Sequence, residues 1–337
     1  MGRKQSIFTV DSHTQGNPTR VVVGGIPAWT YEGKDMAEKT DNFSKRGFDI
    51  RKALMCEPRG HRDMCGCILT DPVSTEGDYG VLFMDNFQFL NMSGHSVIGV
   101  GTTLVETGLF EPDAKEFINL DTPAGLVRLK AKVEGGKVTS ICLRNVPSFV
   151  EVLDGVLDVP GFGQVTYDIT FGGNYFALFH ADQFSIRVAP ENTSILKKIG
   201  MELKDLINDK HKVKHPTLEH INNVDIVTFI DKPLKQPKAM YKNVHIFCNS
   251  QADRSPGGTG TTAVLTMLFA KKKIGINEDI YSEGLAGGVF KGRVLEETFI
   301  GDRPALNIEI CGSATITGYH HFVIDSDDEL GKGFVIS

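Results

Sequence analysis

Short apolar runs bounded by turn residues recur along the first third of the chain. "SIFTV" (residues 6–10), "TRVVVGG" (19–25) and "GVLFM" (80–84) are expected to be strands. Residues 44–55 change to helical spacing and stop at Glu57-Pro58, where proline disfavours a helical residue before it. Further on, "VRLKAKVEGGKVTSICL" is two alternating runs around "EGGK", the signal of a hairpin. A helix over residues 194–208, a strand "NVHIFCN" and a hairpin-like "GLAGGVFKGRVLEE" follow. Helix and strand alternate throughout, so the expected class is mixed α/β or α+β.

Two helices break the amphipathic rule. Ser93-Gly94-His95-Ser96 feeds "VIGVGTTLVETG", and some 165 residues later Gly257-Gly258-Thr259-Gly260 feeds "TTAVLTMLFAKKKIG". Both are apolar nearly all round, so each is expected inside a domain wrapped by sheet. The second gathers Lys271, Lys272 and Lys273 at its carbonyl-rich end. A helix amino end carries unpaired N–H groups and about half a positive charge, which suits an anion. Two such ends facing each other would clamp one carboxylate; the alternative is two ordinary glycine-rich helix starts that meet nothing.

Composition narrows the partners. The 337 residues suffice for one large or two ordinary domains, and 41% hydrophobic content supplies a core. A net charge of −6 without a long basic run argues against a nucleic-acid groove or an anionic-membrane patch. No apolar run approaches the roughly 20 residues of a membrane span. The short apolar stretch near the start does not make a secretory signal. Met1-Gly2 with Ser6 also fits an acylation pattern, which needs an enzyme that many cells lack. Six dispersed cysteines suit reduced thiols in a cytoplasm. A small molecule is the expected partner.

"DSHTQGNPTRVVVGG", "LMCEPRGHRDMCG", "NMSGHSVIGV", "FGGNYFALFHA", "QADRSPGGTGTT" and "GSATITGYHHFVID" occur in this order over almost the whole chain. Together they resemble the proline racemase family, which includes hydroxyproline epimerases and trans-3-hydroxyproline dehydratases. The resemblance implies the fold of diaminopimelate epimerase: two pseudo-symmetric domains, each a curved sheet around a central helix, with the site between them. The halves are expected at residues 1–132 plus 322–337, and at 133–321. Enzymes of that family need neither metal nor pyridoxal phosphate, so no cofactor is expected. The expected ligand is an amino or imino acid, and a second copy of the chain is a candidate partner.

Family racemases use two thiols as base and acid on opposite faces of the substrate α-carbon. The matching positions here are Ser93 and Gly257. A cysteine thiol has a pKa of about 8.5 against roughly 15.7 for water, taken as a guide to an unactivated hydroxyl, a gap worth on the order of 10 kcal/mol. Ser93 would need help from a neighbour such as His95, and Gly257 has no proton-carrying side chain at all. Replacement by glycine is expected to leave room on that face for roughly one water.

By family position, the N–H groups of Gly94, His95, Gly258 and Thr259 would hold the substrate carboxylate, with Asp253 and the His95 ring on its amine. Asp253 could instead serve only its own turn, and His95 only the helix start. Phe247 matches a pocket-wall phenylalanine or is plain core. Cys65 stands where relatives tend to carry an aromatic wall residue; it enlarges the pocket, relocates a thiol, or is inert packing. His180 stands where the family block commonly has Asp.

Other chemistries lack their parts. "GGTGTT" has no phosphate-loop lysine, "NMSGHS" is not a nucleophile elbow, and Cys65-x-Cys67 and His320-His321 lack zinc partners. The expected function is cofactor-independent α-proton chemistry on proline, a hydroxyproline or a related cyclic imino acid, more dehydratase-like than two-base racemase. The alternative is a binding homologue that kept the carboxylate clamp without the chemistry.

Overall fold

The computed structural model describes residues 4–336, the Phe48 side chain excepted. Met1 and Gly2 of the acylation pattern lie outside the described residues. The chain divides into two compact units, Met1–Ile141 with Ser313–Ser337, and Cys142–Gly312. The expected halves broke at a hairpin and near residue 322, whereas this division falls inside one strand and at Gly312, between two others.

In the first unit, β1 (Lys4–Thr14) turns at Gln15-Gly16, both at positive φ, into antiparallel β2 (Asn17–Gly24). α1 (Met36–Arg46) is capped by the Asp35 side chain, which accepts from Glu38 N. It stops at Gly47, and α2 (Phe48–Met55) begins at once. The single helix expected over residues 44–55 is therefore two. The Phe43 ring packs so close over Gly47 that any Cβ there would collide with it.

β3 (Cys65–Thr70) lies parallel to β2 and antiparallel to β4 (Tyr79–Asp85), with β5 (Phe89–Leu90) beside β4. After α3 (Gly94–Glu106), β6 (Ile118–Thr122) runs parallel to β4 and antiparallel to β7 (Gly125–Glu134). The expected tight turn follows, Gly135 and Gly136 both at positive φ, before β8 (Lys137–Arg144). The closing strand of this unit comes from far along the chain: β18 (Ala314–Asp325) pairs with β1 from Lys4↔Asp325 to Thr14↔Ala314.

α3 is the central helix. Val97, Ile98, Val100 and Leu104 are fully buried, and two glycines let the surrounding strands close on it. A Cβ at Gly99 would meet Ser12 and Thr19, and one at Gly101 would meet Leu129 and Ile141. A second core lies under α1 and α2, where Phe43, Leu54 and Met36 meet Ile7, Val22, Ile68 and Leu82.

The second unit repeats this plan. β9 (Phe149–Val159), β10 (Gly163–Phe171) and β11 (Tyr175–His180) form an antiparallel series. α4 (Thr193–Lys210) then crosses over to β12 (Val224–Asp231), parallel to β11. β13 (Tyr241–Phe247) is antiparallel to β12 and turns into the short β14 (Gln251–Ala252) just ahead of the central helix α5 (Gly258–Ala270). β15 (Ile280–Glu283), β16 (Val289–Ile300) and β17 (Arg303–Gly312) complete the unit as successive antiparallel neighbours.

α5 ends at Ala270, so the three lysines follow the helix instead of lying in its last turn. Lys271 bonds outward to Asp154 and Asp168, each at 2.8 Å. The expectation of six reduced thiols is corrected too. Cys142 and Cys311 form a disulfide between the first residue of the second unit and its last but one, while Cys56, Cys65, Cys67 and Cys248 are free and buried. Among the described residues, no helix is long and apolar enough to cross a membrane.

Candidate active site

The residues singled out in the sequence fall into two groups, one at the amino end of α3 in the first unit and one at the amino end of α5 in the second, with His180 apart from both. Neither helix has a side-chain cap. Ser93 occupies the N-cap position of α3, where serine ordinarily accepts from an N–H of the first turn, but its hydroxyl donates to Ser96 Oγ at 2.9 Å. The α5 N-cap is Gly257, which has no side chain to offer. Gly94, Gly258 and Thr259 are the first residues of these helices and all are buried, so both amino ends keep their partial positive charge unscreened by a protein carboxylate of the first turn.

Around α3 the polar side chains form one buried network. His95 is 5% exposed, and its Nε2 lies 2.9 Å from Asn17 Nδ2 and 3.2 Å from Ser96 Oγ. Two donors on Nε2 place the ring proton on Nδ1, which faces Ser93 Oγ at 3.4 Å. His95 therefore presents an N–H to the Ser93 oxygen. That stabilises an alkoxide, but it does not take the hydroxyl's proton, as a helping base would have to. Thr14 Oγ1 fastens this turn by donating to His95 O. Cys65, at the start of β3, joins the same cluster, its Sγ 4.0 Å from Asn17 Nδ2. Cys67, two residues on, is fully buried, and burial pushes its thiol well above the ordinary range.

In the second unit, Phe247 is buried at the end of β13, and the chain turns through Cys248 and Ser250, both at positive φ, to reach Asp253. Asp253 Oδ1 accepts from Ser255 N at 2.8 Å and Ser255 Oγ at 2.7 Å, so it does shape its turn. Gly257 has φ +71°. The expected water-sized space beside it does not exist on the side where a Cβ would point. That position lies under 3.0 Å from Nε2 and Cδ2 of His245, a residue whose role the sequence did not disclose. His245 is 3% exposed; its Nδ1 lies 2.8 Å from Thr228 Oγ1 and its Nε2 2.8 Å from Pro256 O. His180, at the end of β11, is exposed and lines a cavity of about 420 Å³ with Asp182, Arg187 and Tyr241, well along α5 from its amino end.

The chain as a whole is similar to known proteins. A family model for proline racemase matches residues 9–335. The chain belongs to the proline racemase family. It is 47% identical over 334 residues to a proline racemase of Acetoanaerobium sticklandii, covering 98% of this chain and 99% of that one. It is 38% identical over 330 residues to a trans-3-hydroxy-L-proline dehydratase of Bacillus cereus, covering 97% of both. Among solved structures, a hydroxyproline epimerase from Agrobacterium vitis with bound trans-4-hydroxy-L-proline matches with a TM-score of 0.91 at 30% identity, over 100% of this chain and 97% of that one. The fold is thus the diaminopimelate-epimerase-like one that the sequence resemblance implied. Family relatives are isomerases and lyases.

Proposed function

We propose that this family member acts on proline, a hydroxyproline or a related cyclic imino acid by cofactor-independent proton chemistry delivered from one side, closer to a dehydratase than to a two-base racemase. The observation that carries the reading is the asymmetry between the two helix starts: a hydroxyl in a polar network at Ser93, and a bare glycine at Gly257. The N–H groups of Gly94, His95, Gly258 and Thr259 bind the substrate carboxylate. Asp253 holds its nitrogen, the His95 ring being engaged by Asn17, Ser96 and Ser93 instead, and Phe247 and Cys65 bound the ring.

Solvent hydroxide first takes the Ser93 proton as water; with a 3-hydroxyproline, the α-proton then passes to the Ser93 alkoxide, which the His95 Nδ1–H stabilises. The C–H electron pair becomes the Cα–C3 double bond, and hydroxide leaves C3. The proton on Ser93 joins that hydroxide, so one water is lost and the alkoxide returns. No group on the opposite face is needed. Racemisation would need one, because the product's new α-hydrogen must arrive from that face. Forming the alkoxide costs on the order of 10 kcal/mol more than forming a thiolate before any local help, so slow turnover is expected.

The test follows α-deuterium exchange and product formation by NMR in D₂O with L-proline, trans-3-hydroxy-L-proline and trans-4-hydroxy-L-proline. Loss of water from the 3-hydroxy isomer, absent in Ser93→Ala, supports the proposal, while robust D-proline formation refutes it. A second reading, binding without turnover, is favoured by the Ser93 hydroxyl donating to Ser96 and facing an N–H instead of a base. Calorimetric binding without exchange in any of the three ligands would select it.

A further inference from the structure

The histidine beneath the amino end of α5 is unusual in what it excludes. His245 stands on β13 opposite Thr228 of β12, and its ring lies edge-on to Phe176 at 5.7 Å. From there it lies against the first turn of α5 at two positions. A Cβ at Gly257 would fall within 3.0 Å of Nε2 and Cδ2, and a Cβ at Gly260 would fall as close to Cε1, Nε2 and Nδ1. Residues three apart share a helix face, so the ring fills a slot that exists because both positions are glycine. The carbonyl of Pro256 accepts from His245 Nε2 at 2.8 Å, which holds the peptide entering α5 in one orientation. In that orientation residue 257 has φ +71°, a conformation that L side chains rarely adopt. Turning the peptide to suit a side chain would swing the Pro256 carbonyl off the imidazole and leave a buried ring N–H without that acceptor.

We infer that His245 is a positioning residue of this site: by holding the entry peptide of α5 it makes glycine obligatory at position 257 and so bars a thiol, and with it a second proton carrier, from that end of the helix. The functional half of this inference rests on the one-sided chemistry proposed above. The structural half does not. On this account Gly257 is one half of a matched pair whose other half lies twelve residues upstream, and restoring a cysteine there requires removing the imidazole first. His245 acts through the backbone of Gly257 and is a positioning residue.

The test is a thermal-melting cycle on the full chain with Gly257→Cys, His245→Val and both together, followed by an activity arm. Gly257→Cys alone should lower Tm by about 5 °C or more, because side-chain strain and the clash add. In the His245→Val background the same change should cost less than half as much. Gly260→Ala should show the same relief although no chemistry is expected of that position. Equal costs in both backgrounds overturn the inference, whatever the activity.

In the activity arm, Ser93→Cys with Gly257→Cys should form no D-proline from L-proline, and the triple variant with His245→Val should form it at a rate at least about tenfold above background. Racemisation by the double variant with His245 intact also overturns the inference. So does relief in the melting cycle with no D-proline from a triple variant that still binds L-proline by calorimetry. If wild-type protein binds none of the proline ligands, the proposed function fails while the melting cycle still decides the role of His245.

Discussion

Replacing Glu283 with glutamine tests how β13 is held in register beneath α5. Lys242 on β13 and Glu283 on β15 are both wholly buried, with Lys242 Nζ 2.7 Å from Glu283 Oε1. The other carboxylate oxygen accepts from the N–H groups of Leu234, Lys235 and Gln236 at 2.9 to 3.0 Å. Burial pushes the Glu283 carboxyl upward, but the Lys242 ammonium and those three N–H groups outweigh it and hold it below the ordinary range. Glutamine keeps one oxygen for the N–H groups and removes the charge facing Lys242, whose next acceptor, Leu285 O, is 3.5 Å away. A buried charge stripped of its partner costs about 3–5 kcal/mol. At an m-value of roughly 3 kcal/mol per molar in urea, the midpoint should fall by between about 1 and 2 M.

Far-UV circular dichroism follows this transition, and the fluorescence of Trp29 reports the first unit by itself, because it is the only tryptophan in the chain. In wild-type protein the same pair ties stability to pH in the acid range. The depressed Glu283 pKa contributes stability that is complete above its unfolded value of about 4.3 and is lost as pH falls through the lower folded value. A loss under about 1 kcal/mol in Glu283→Gln would refute the view that this pair is a closed, solvent-free charge system.

His215 accepts two backbone N–H groups on Nδ1, and burial, with His220 and Arg303 nearby, lowers its pKa to about 4. Folded protein should therefore lose stability as pH falls from about 6.5 towards 4, and His215→Gln should flatten that slope in urea melts. Cys142→Ser with Cys311→Ser opens a loop that spans 169 residues of sequence and should cost up to about 5 kcal/mol by chain entropy; melts with and without reductant should coincide for the variant and separate for wild type. Ser93→Ala should abolish α-deuterium exchange while calorimetry still detects ligand binding, since the carboxylate is held by backbone N–H groups.

The strands were legible because alternation along a half-buried sheet is a local signal, as in β7 and β8 around Gly135-Gly136. The central helices were legible because a run such as "VIGVGTTLVE" has no polar face to turn outward. The break between α1 and α2 was not, since helical spacing runs on through Gly47 and only the packed Phe43 ring shows why a glycine stands there. The disulfide depends on residues 142 and 311 meeting, which no local pattern encodes. His245 escaped notice inside "NVHIFCN" because Asn243 and His245, alternating with Val244 and Ile246, look like a solvent face. β13 is in fact buried on both faces, and a histidine in such a strand, ahead of glycines spaced i and i+3, was the available clue.

The pairing of β1 with β18 sets an order of events during synthesis. β1 leaves the ribosome early, yet the strand that covers its edge, from Lys4↔Asp325 to Thr14↔Ala314, arrives 300 or more residues later. At translation rates of about 5–20 residues per second, that is a wait of roughly 15 to 60 s. The second unit, by contrast, is one uninterrupted stretch and is complete at Gly312, before any of β18 exists. The nascent chain thus finishes its later half first, and β1 spends the interval with an open edge that chaperones or a second nascent chain can reach.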